Sequence, residues 1–358
     1  QAVGWGLGAY QFDRYKDASR APARLLLDAG NDLTQVMDKV CATLLTRDLI
    51  NTPSQDMAPS HLEAEATALA ERFAAQIEVT VGDELLDREC GAIHAVGRAA
   101  ADQPRLIDLT WGDPTHPKIT VIGKGVTFDS GGLNIKPGAS MRQMKKDMGG
   151  AAIAMGLSYL IMARELPVRL RMLLPAAENA IAGNAFRPGD ILHTHKGLTV
   201  EIDNTDAEGR LLLCDALSIA CEENPELIVD YATLTGAARV AVGTEIAAMF
   251  CNDAGLSSAI STAANKIDDP VWPLPLHDDY TYMLSSKVAD LVNSAASGFA
   301  GASTAALFLK HFVGDDIPWL HFDVMAFNNR ARPGRPEGGE AMALRAVYEY
   351  LEQHYGNA

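Results

Sequence analysis

Four short apolar runs constrain the fold most: KITVIG (118–123), VRLRMLLPA (168–176), LIVDYATL (227–234) and WLHFDV (319–324). Their length suits strands, and near-continuous apolar character points to strands covered on both faces. Between and around them lie helical stretches. Residues 32–53 carry Leu33, Val36, Met37, Val40, Leu44 and Leu45 at helical spacing before an Asn51-Thr52-Pro53 stop, and 61–76, 150–165 and 303–313 also read as helices. IEVTV (77–81) and RLIDLTW (105–111) add further strands. Such alternation predicts an α/β fold with a mixed, largely parallel central sheet flanked by helices. Ligand sites in such sheets gather beyond the C-terminal ends of the strands.

Those ends carry charge where burial is expected. In TVEIDNTDAEGRLLLCDALSIACEE (199–223) a strand-like start passes into an apolar helix through Asp206, Glu208 and Arg210. On extended backbone a spacing of two points all three to one side, and Gly209 then lets the chain turn into the helix. Lys124 and Asp129 follow KITVIG in a glycine-studded loop that also holds Lys136, and Asp147 precedes the apolar helix at 150–165. Four carboxylates, Asp129, Asp147, Asp206 and Glu208, can share a pocket only if cations compensate them. Two divalent ions would do so, and in their field Lys124 would stand as a neutral amine and ligand. Each piece has a plainer reading as a helix cap or a turn, so none decides the matter alone. His193 and His195 alternate like strand residues, and Lys145 and Lys146 read as surface or structural.

Composition narrows the choices. The chain has 358 residues, 48% hydrophobic and 21% charged, enough for one large domain and an appendage. A net charge of −16 disfavours nucleic acid and anionic membrane surfaces as partners. Five cysteines without a C-x-x-C fit a reducing cytoplasm, and the longest apolar run, from Gly150, is too short to span a bilayer. No secretory signal is visible in a chain that starts at Gln1. Walker, G-x-S-x-G and H-E-x-x-H patterns are absent.

NTDAEGRL (204–211) resembles the signature of the leucyl aminopeptidase (cytosol aminopeptidase) family. The blocks IGKGVTFDSGGLNIKP, MKKDMGGAA, RPGDIL, DYATLTGA and GASTAALFL are similar too, in the family's order, so the resemblance covers roughly residues 32–345. It implies a catalytic domain over 32–358 that begins with a linking helix. Residues 1–31, with an aromatic-rich helical piece at 4–16 and a short strand at 23–30, would be the C-terminal remnant of an N-terminal α/β domain.

The resemblance further implies that Lys124, Asp129, Asp147 and Glu208 bind one metal while Asp129, Asp206 and Glu208 bind the other. The ions would be zinc or manganese and the assembly a homohexamer. The implied reaction releases N-terminal residues, mainly leucine and other apolar ones, from peptides with a free N-terminus by two-metal-activated water attack on the amide. Lys136 would stabilise the tetrahedral intermediate, and Arg210 would be the second catalytic residue, holding a bicarbonate as exchangeable base. Met144, Thr233, Met325 and Asn328 would line the pocket for the first side chain, where Val324-Met325-Ala326 replaces the family's usual I-A-G. A two-metal phosphoesterase, which commonly adds histidine ligands, and a binding protein with a dead site are the alternatives.

Overall fold

The apolar runs become strands buried on both faces. The computed structural model describes residues 1–27, 30 and 32–356. Its strands are β1 (Gln76–Val81), β2 (Arg105–Trp111), β3 (Lys118–Gly123), β4 (Gly125–Asp129), β5 (Arg169–Asn179), β6 (Ile191–His193), β7 (Thr199–Glu201), β8 (Leu227–Ala232), β9 (Ala247–Cys251), β10 (Val271–Pro273), β11 (Leu291–Val292), β12 (Trp319–Asp323) and the short pair β13 (Phe327–Asn328) and β14 (Gly338–Gly339). The main sheet runs β1-β2-β5-β3-β8-β12-β9-β10, with β4 continuing beside β5. Its centre, β5-β3-β8-β12, is parallel; β1, β2 and β9 pair antiparallel with their inner neighbours. A small sheet, β11-β7-β6, stands apart.

Period-two alternation divides the core. Ile119, Val121, Val229, Leu320 and Phe322 face a layer built on the helices Leu33–Asn51, Gly149–Ala163 and Leu344–Tyr355. Ile122, Ile228, Ala232 and Trp319 face the helices Gly91–Gly97, Gly209–Cys221 and Gly301–Lys310. The helix Gly149–Ala163 is buried from Gly149 to Met162, which explains a sequence with no polar stripe. The helix at 33–51 ends at Asn51, where the stop signal placed it, and Asp32 caps its start by accepting from the Gln35 amide at 3.0 Å.

The amino-terminal residues depart from expectation. A helix forms over Ala2–Ala9 and buries Leu7, but residues 23–27 form no strand, and Asp28 and Ala29 of that stretch lie outside the described residues. The helix is held by Arg47, which donates to the Leu7 carbonyl and the Gly334 carbonyl, each at 2.8 Å. Among the described residues no helix is long and apolar enough to cross a membrane.

Candidate metal centre

A one-residue interruption of the sheet places the first site residue. Lys124 stands between β3 and β4; its amide donates to the Tyr231 carbonyl on β8 and its carbonyl accepts from the Ala151 amide, both at 2.9 Å. The helix can come this close because residue 150 is glycine: a Cβ there would lie 2.1 Å from the Tyr231 carbonyl oxygen. Gly125–Asp129 is therefore a strand and not the loop expected from its glycines, and Asp129 sits at that strand's C-terminal end. Asp206 and Glu208 likewise are not on extended backbone. Asp206 lies in a turn, and Glu208, with φ −76° and ψ −32°, is the residue before the helix Gly209–Cys221. Helical curvature, not strand alternation, brings Glu208 and Arg210 to the cavity. Gly209 is needed for closeness more than for turning, since a Cβ would fall 2.6 Å from the Lys124 Cε.

The charged groups converge. Lys124 Nζ lies 2.8 Å from Asp147 Oδ2 and 2.9 Å from Glu208 Oε1, and it donates to the Thr233 carbonyl at 2.9 Å. Lys136 Nζ lies 2.8 Å from Asp129 Oδ2 and 2.5 Å from Asp206 Oδ1. Asp129, Asp206 and Glu208 each offer a carboxylate oxygen, all within 4.8 Å of one another. Supporting groups fix them: Asn179 Nδ2 donates to Asp129 Oδ1 at 2.9 Å, and Thr233 Oγ1 to Asp147 Oδ1 at 2.7 Å. Thr205 Oγ1 ties the Asp206 turn to the Gly131 carbonyl at 2.6 Å, and Asn293 Nδ2 holds the same turn by donating to the Asn204 carbonyl at 2.7 Å.

This cluster is short of positive charge. Four carboxylates face two lysines, and Glu208 is only 1% exposed. Burial, reinforced by Asp129, pushes the Glu208 carboxyl up to about 8, and burial with Asp147 raises Asp129. Asp147 goes the other way: burial opposes its charge, but Lys124 and Lys146 hold it below the ordinary carboxylate value. Burial also opposes the charge on Lys124, yet Asp147 and Glu208 outweigh it and keep that ammonium above its ordinary value. The neutral Lys124 expected from the sequence thus requires cations in the cluster; against carboxylates alone the opposite direction holds. Glu208 Oε2 is buried with no hydrogen-bond partner. An all-oxygen donor set with surplus negative charge and an unspent carboxylate oxygen fits divalent cations.

The cluster lines a cavity of about 420 Å³, whose walls also include Met144, Lys146, Arg210, Thr233 and Arg239. Arg210 donates from Nη1 to the Asn293 carbonyl at 2.7 Å, its Nε is buried without a partner, and no carboxylate lies within ion-pair distance of it among the described residues. Burial pulls its guanidinium down to about 10. Met325 and Asn328 do not border this cavity. Met325 packs in the core, and Asn328 Nδ2 donates to the Pro336 carbonyl at 3.0 Å and Glu340 Oε2 at 2.6 Å. His193 lies on β6, away from the cavity, and His195 bonds the Arg88 carbonyl and Glu222.

Sequence reasoning missed Asn179, Thr205, Asn293, Lys146 and Arg239. Asn179 alone left a trace, as a polar residue ending an eleven-residue, mostly buried strand. Lys145 is structural as expected, donating to the Asn51 carbonyl at 2.5 Å, whereas Lys146 is not on the surface: it is 2% exposed and pushed down to about 8 by burial.

The chain is similar to known aminopeptidases in both sequence and fold. A protein from Nitratidesulfovibrio vulgaris named a probable cytosol aminopeptidase is 42% identical over 97% of this chain and 72% of its own length. The crystal structure of the cytosol aminopeptidase from Coxiella burnetii superposes with a TM-score of 0.96 at 52% identity, covering 99% of this chain and 77% of that one. The bottromycin maturation enzyme BotP, in a structure described as a complex with Mn, superposes with a TM-score of 0.93 at 36% identity over 98% of this chain and 78% of that one. Residues 44–348 match the family described as "Cytosol aminopeptidase family, catalytic domain", and the chain belongs to that family of metallo-exopeptidases.

Proposed function

We propose that the chain releases N-terminal amino acids, leucine and other mainly apolar residues, from peptides with a free N-terminus, using two divalent ions, zinc or manganese. Lys124, Asp129, Asp147 and Glu208 would hold one ion and Asp129, Asp206 and Glu208 the other. The observation that carries this reading is the uncompensated carboxylate cluster lining a cavity, with Glu208 Oε2 unspent.

Such ions supply Lewis acidity, lowering the pKa of water toward neutrality and polarising an amide carbonyl. The chain's own groups do the rest. Lys136, an ammonium raised by Asp129 despite the cost of burial, offers donors where oxyanion charge develops. Arg210 presents a guanidinium free of carboxylate partners, suited to hold bicarbonate by parallel hydrogen bonds as an exchangeable proton acceptor. Arginine itself stays charged and cannot accept the proton. Met144 and Thr233 wall the space for the first side chain.

The cavity lining holds no histidine among the described residues, which favours this reading over a phosphoesterase. Free cysteines support a cytoplasmic setting. The homohexamer rests on the family resemblance, and sedimentation equilibrium measures that state directly. The decisive comparison is turnover of a leucyl peptide, its N-acetylated form and a phosphate monoester. Hydrolysis of the free peptide alone is expected; turnover of the phosphate ester without the peptide would overturn the assignment.

A further inference from the structure

The cavity lining holds lysines in two states. Lys124 and Lys136 each contact two carboxylates. Lys146, next to Asp147, lines the same cavity at 2% exposure, and its side chain makes no hydrogen bond or ion pair among the described residues. Arg239 borders the same space. Its Nη1 donates to the Thr235 carbonyl at 3.1 Å, its Nη2 lies 3.6 Å from where a Cβ on Gly236 would stand, and no carboxylate is within ion-pair distance among the described residues.

The acids near Lys146 are already committed. Asp147 is engaged by Lys124 and by Thr233 Oγ1. Asp323 accepts from the Leu234 amide at 3.1 Å, the Thr235 amide at 3.0 Å and Thr235 Oγ1 at 2.6 Å, so both of its oxygens serve the loop after β8. A chain with 46 acidic and 30 basic residues has acids to spare, yet leaves this buried ammonium without one. A buried cation lacking a partner is costly, and the cost is offset when a ligand supplies the anion. The cluster in the same cavity, with its surplus carboxylates, suits cations and the substrate's α-amine.

We infer that Lys146 and Arg239 form a carboxylate-binding subsite, so that the enzyme favours substrates with a carboxylate near the scissile bond. This rests on the aminopeptidase reading above and extends its range beyond apolar first residues. Two substrate groups present that chemistry: the side chain of an acidic first residue, and the terminal carboxylate of a dipeptide. A charge-assisted hydrogen bond of this kind carries about a 10- to 100-fold preference.

The test compares wild type with Lys146→Met, Arg239→Met and Lys146→Arg on two substrate pairs, reading the ratio of kcat/KM within each. Glutamyl against glutaminyl anilide isolates the side chain, because neither has a terminal carboxylate. Leucylglycine against leucylglycinamide isolates the terminus. In one pair the wild-type ratio should favour the carboxylate, fall about 10- to 100-fold in Lys146→Met and in Arg239→Met, and recover in Lys146→Arg. Ratios unchanged by both methionine variants in both pairs would overturn the subsite, even if overall rates fall. Should wild type hydrolyse none of the four, the aminopeptidase reading fails; calorimetric binding of the same pairs then decides the subsite, with equal affinities for carboxylate and amide partners overturning it.

Discussion

At the scale of single residues, the site works by leaving particular atoms unspent. Glu208 Oε2 and Arg210 Nε are buried without hydrogen-bond partners, and so is Asn179 Oδ1 beside Asp129. Had Arg210 been an ion-pair partner of its neighbouring acids, its side chain would lie against them; instead it reaches Asn293. The bound-base role predicts a specific pattern. In carbonate-free buffer the wild-type rate should fall and recover on adding bicarbonate, whereas Arg210→Ala should be about 100-fold slower and indifferent to it. A wild-type rate unmoved by thorough bicarbonate removal would count against the bound base and leave the metal centre standing. Asp206, Glu208 and Arg210 were legible because NTDAEGRL is contiguous. Lys146 and Arg239 were not: nothing local in MKKD or GAARV distinguishes a buried, unpaired cation from a solvated one, since the difference lies in which acids across the fold are already bonded.

At the scale of elements, the central strands and helices followed from periodicity, and two misreadings came where glycine allows two explanations. The glycines flanking Lys124 suggested a loop, but the chain stays extended into β4 because it pairs with β5 from Gly125 to Asp129. Gly209 suggested a turn, yet its lack of a side chain makes room for Lys124. The amino-terminal helix depends on contacts no local pattern could reveal. Arg47, fully buried, bonds Leu7, Gly334 and Glu340, joining three separate segments. Arg47→Ala leaves Glu340 as a buried carboxylate without its cation, and stability should drop by about 3–5 kcal/mol. Guanidinium denaturation checks this; a loss under about 1 kcal/mol would mean that Asn328, the Ala341 amide and solvent suffice for Glu340.

At the scale of the whole molecule, an acidic chain concentrates its least compensated charge in one cavity, and its stability should depend on what fills it. In the cavity Glu208 is held at about 8 against an ordinary 4.5 and Asp129 is raised as well; outside it, on the helix Gly209–Cys221, burial holds Asp215 at about 6 against 3.8. Raised carboxyls keep protons in the fold that the unfolded chain has released, so stability present at low pH is lost as pH climbs through the folded values. Chelator-treated protein should therefore show a Tm that falls between about pH 5 and pH 8, with Glu208→Gln flattening much of the fall. A Tm that rises across that window would contradict the assigned shifts. The most direct test of the metal centre is divalent-ion content per chain, by mass spectrometry after saturation with zinc or manganese and removal of free ion, in wild type and Glu208→Ala. The account predicts about two ions and leucyl-peptide turnover in wild type, against at most one ion and no measurable turnover in the variant, with circular dichroism unchanged. Two ions and full turnover in Glu208→Ala would contradict it.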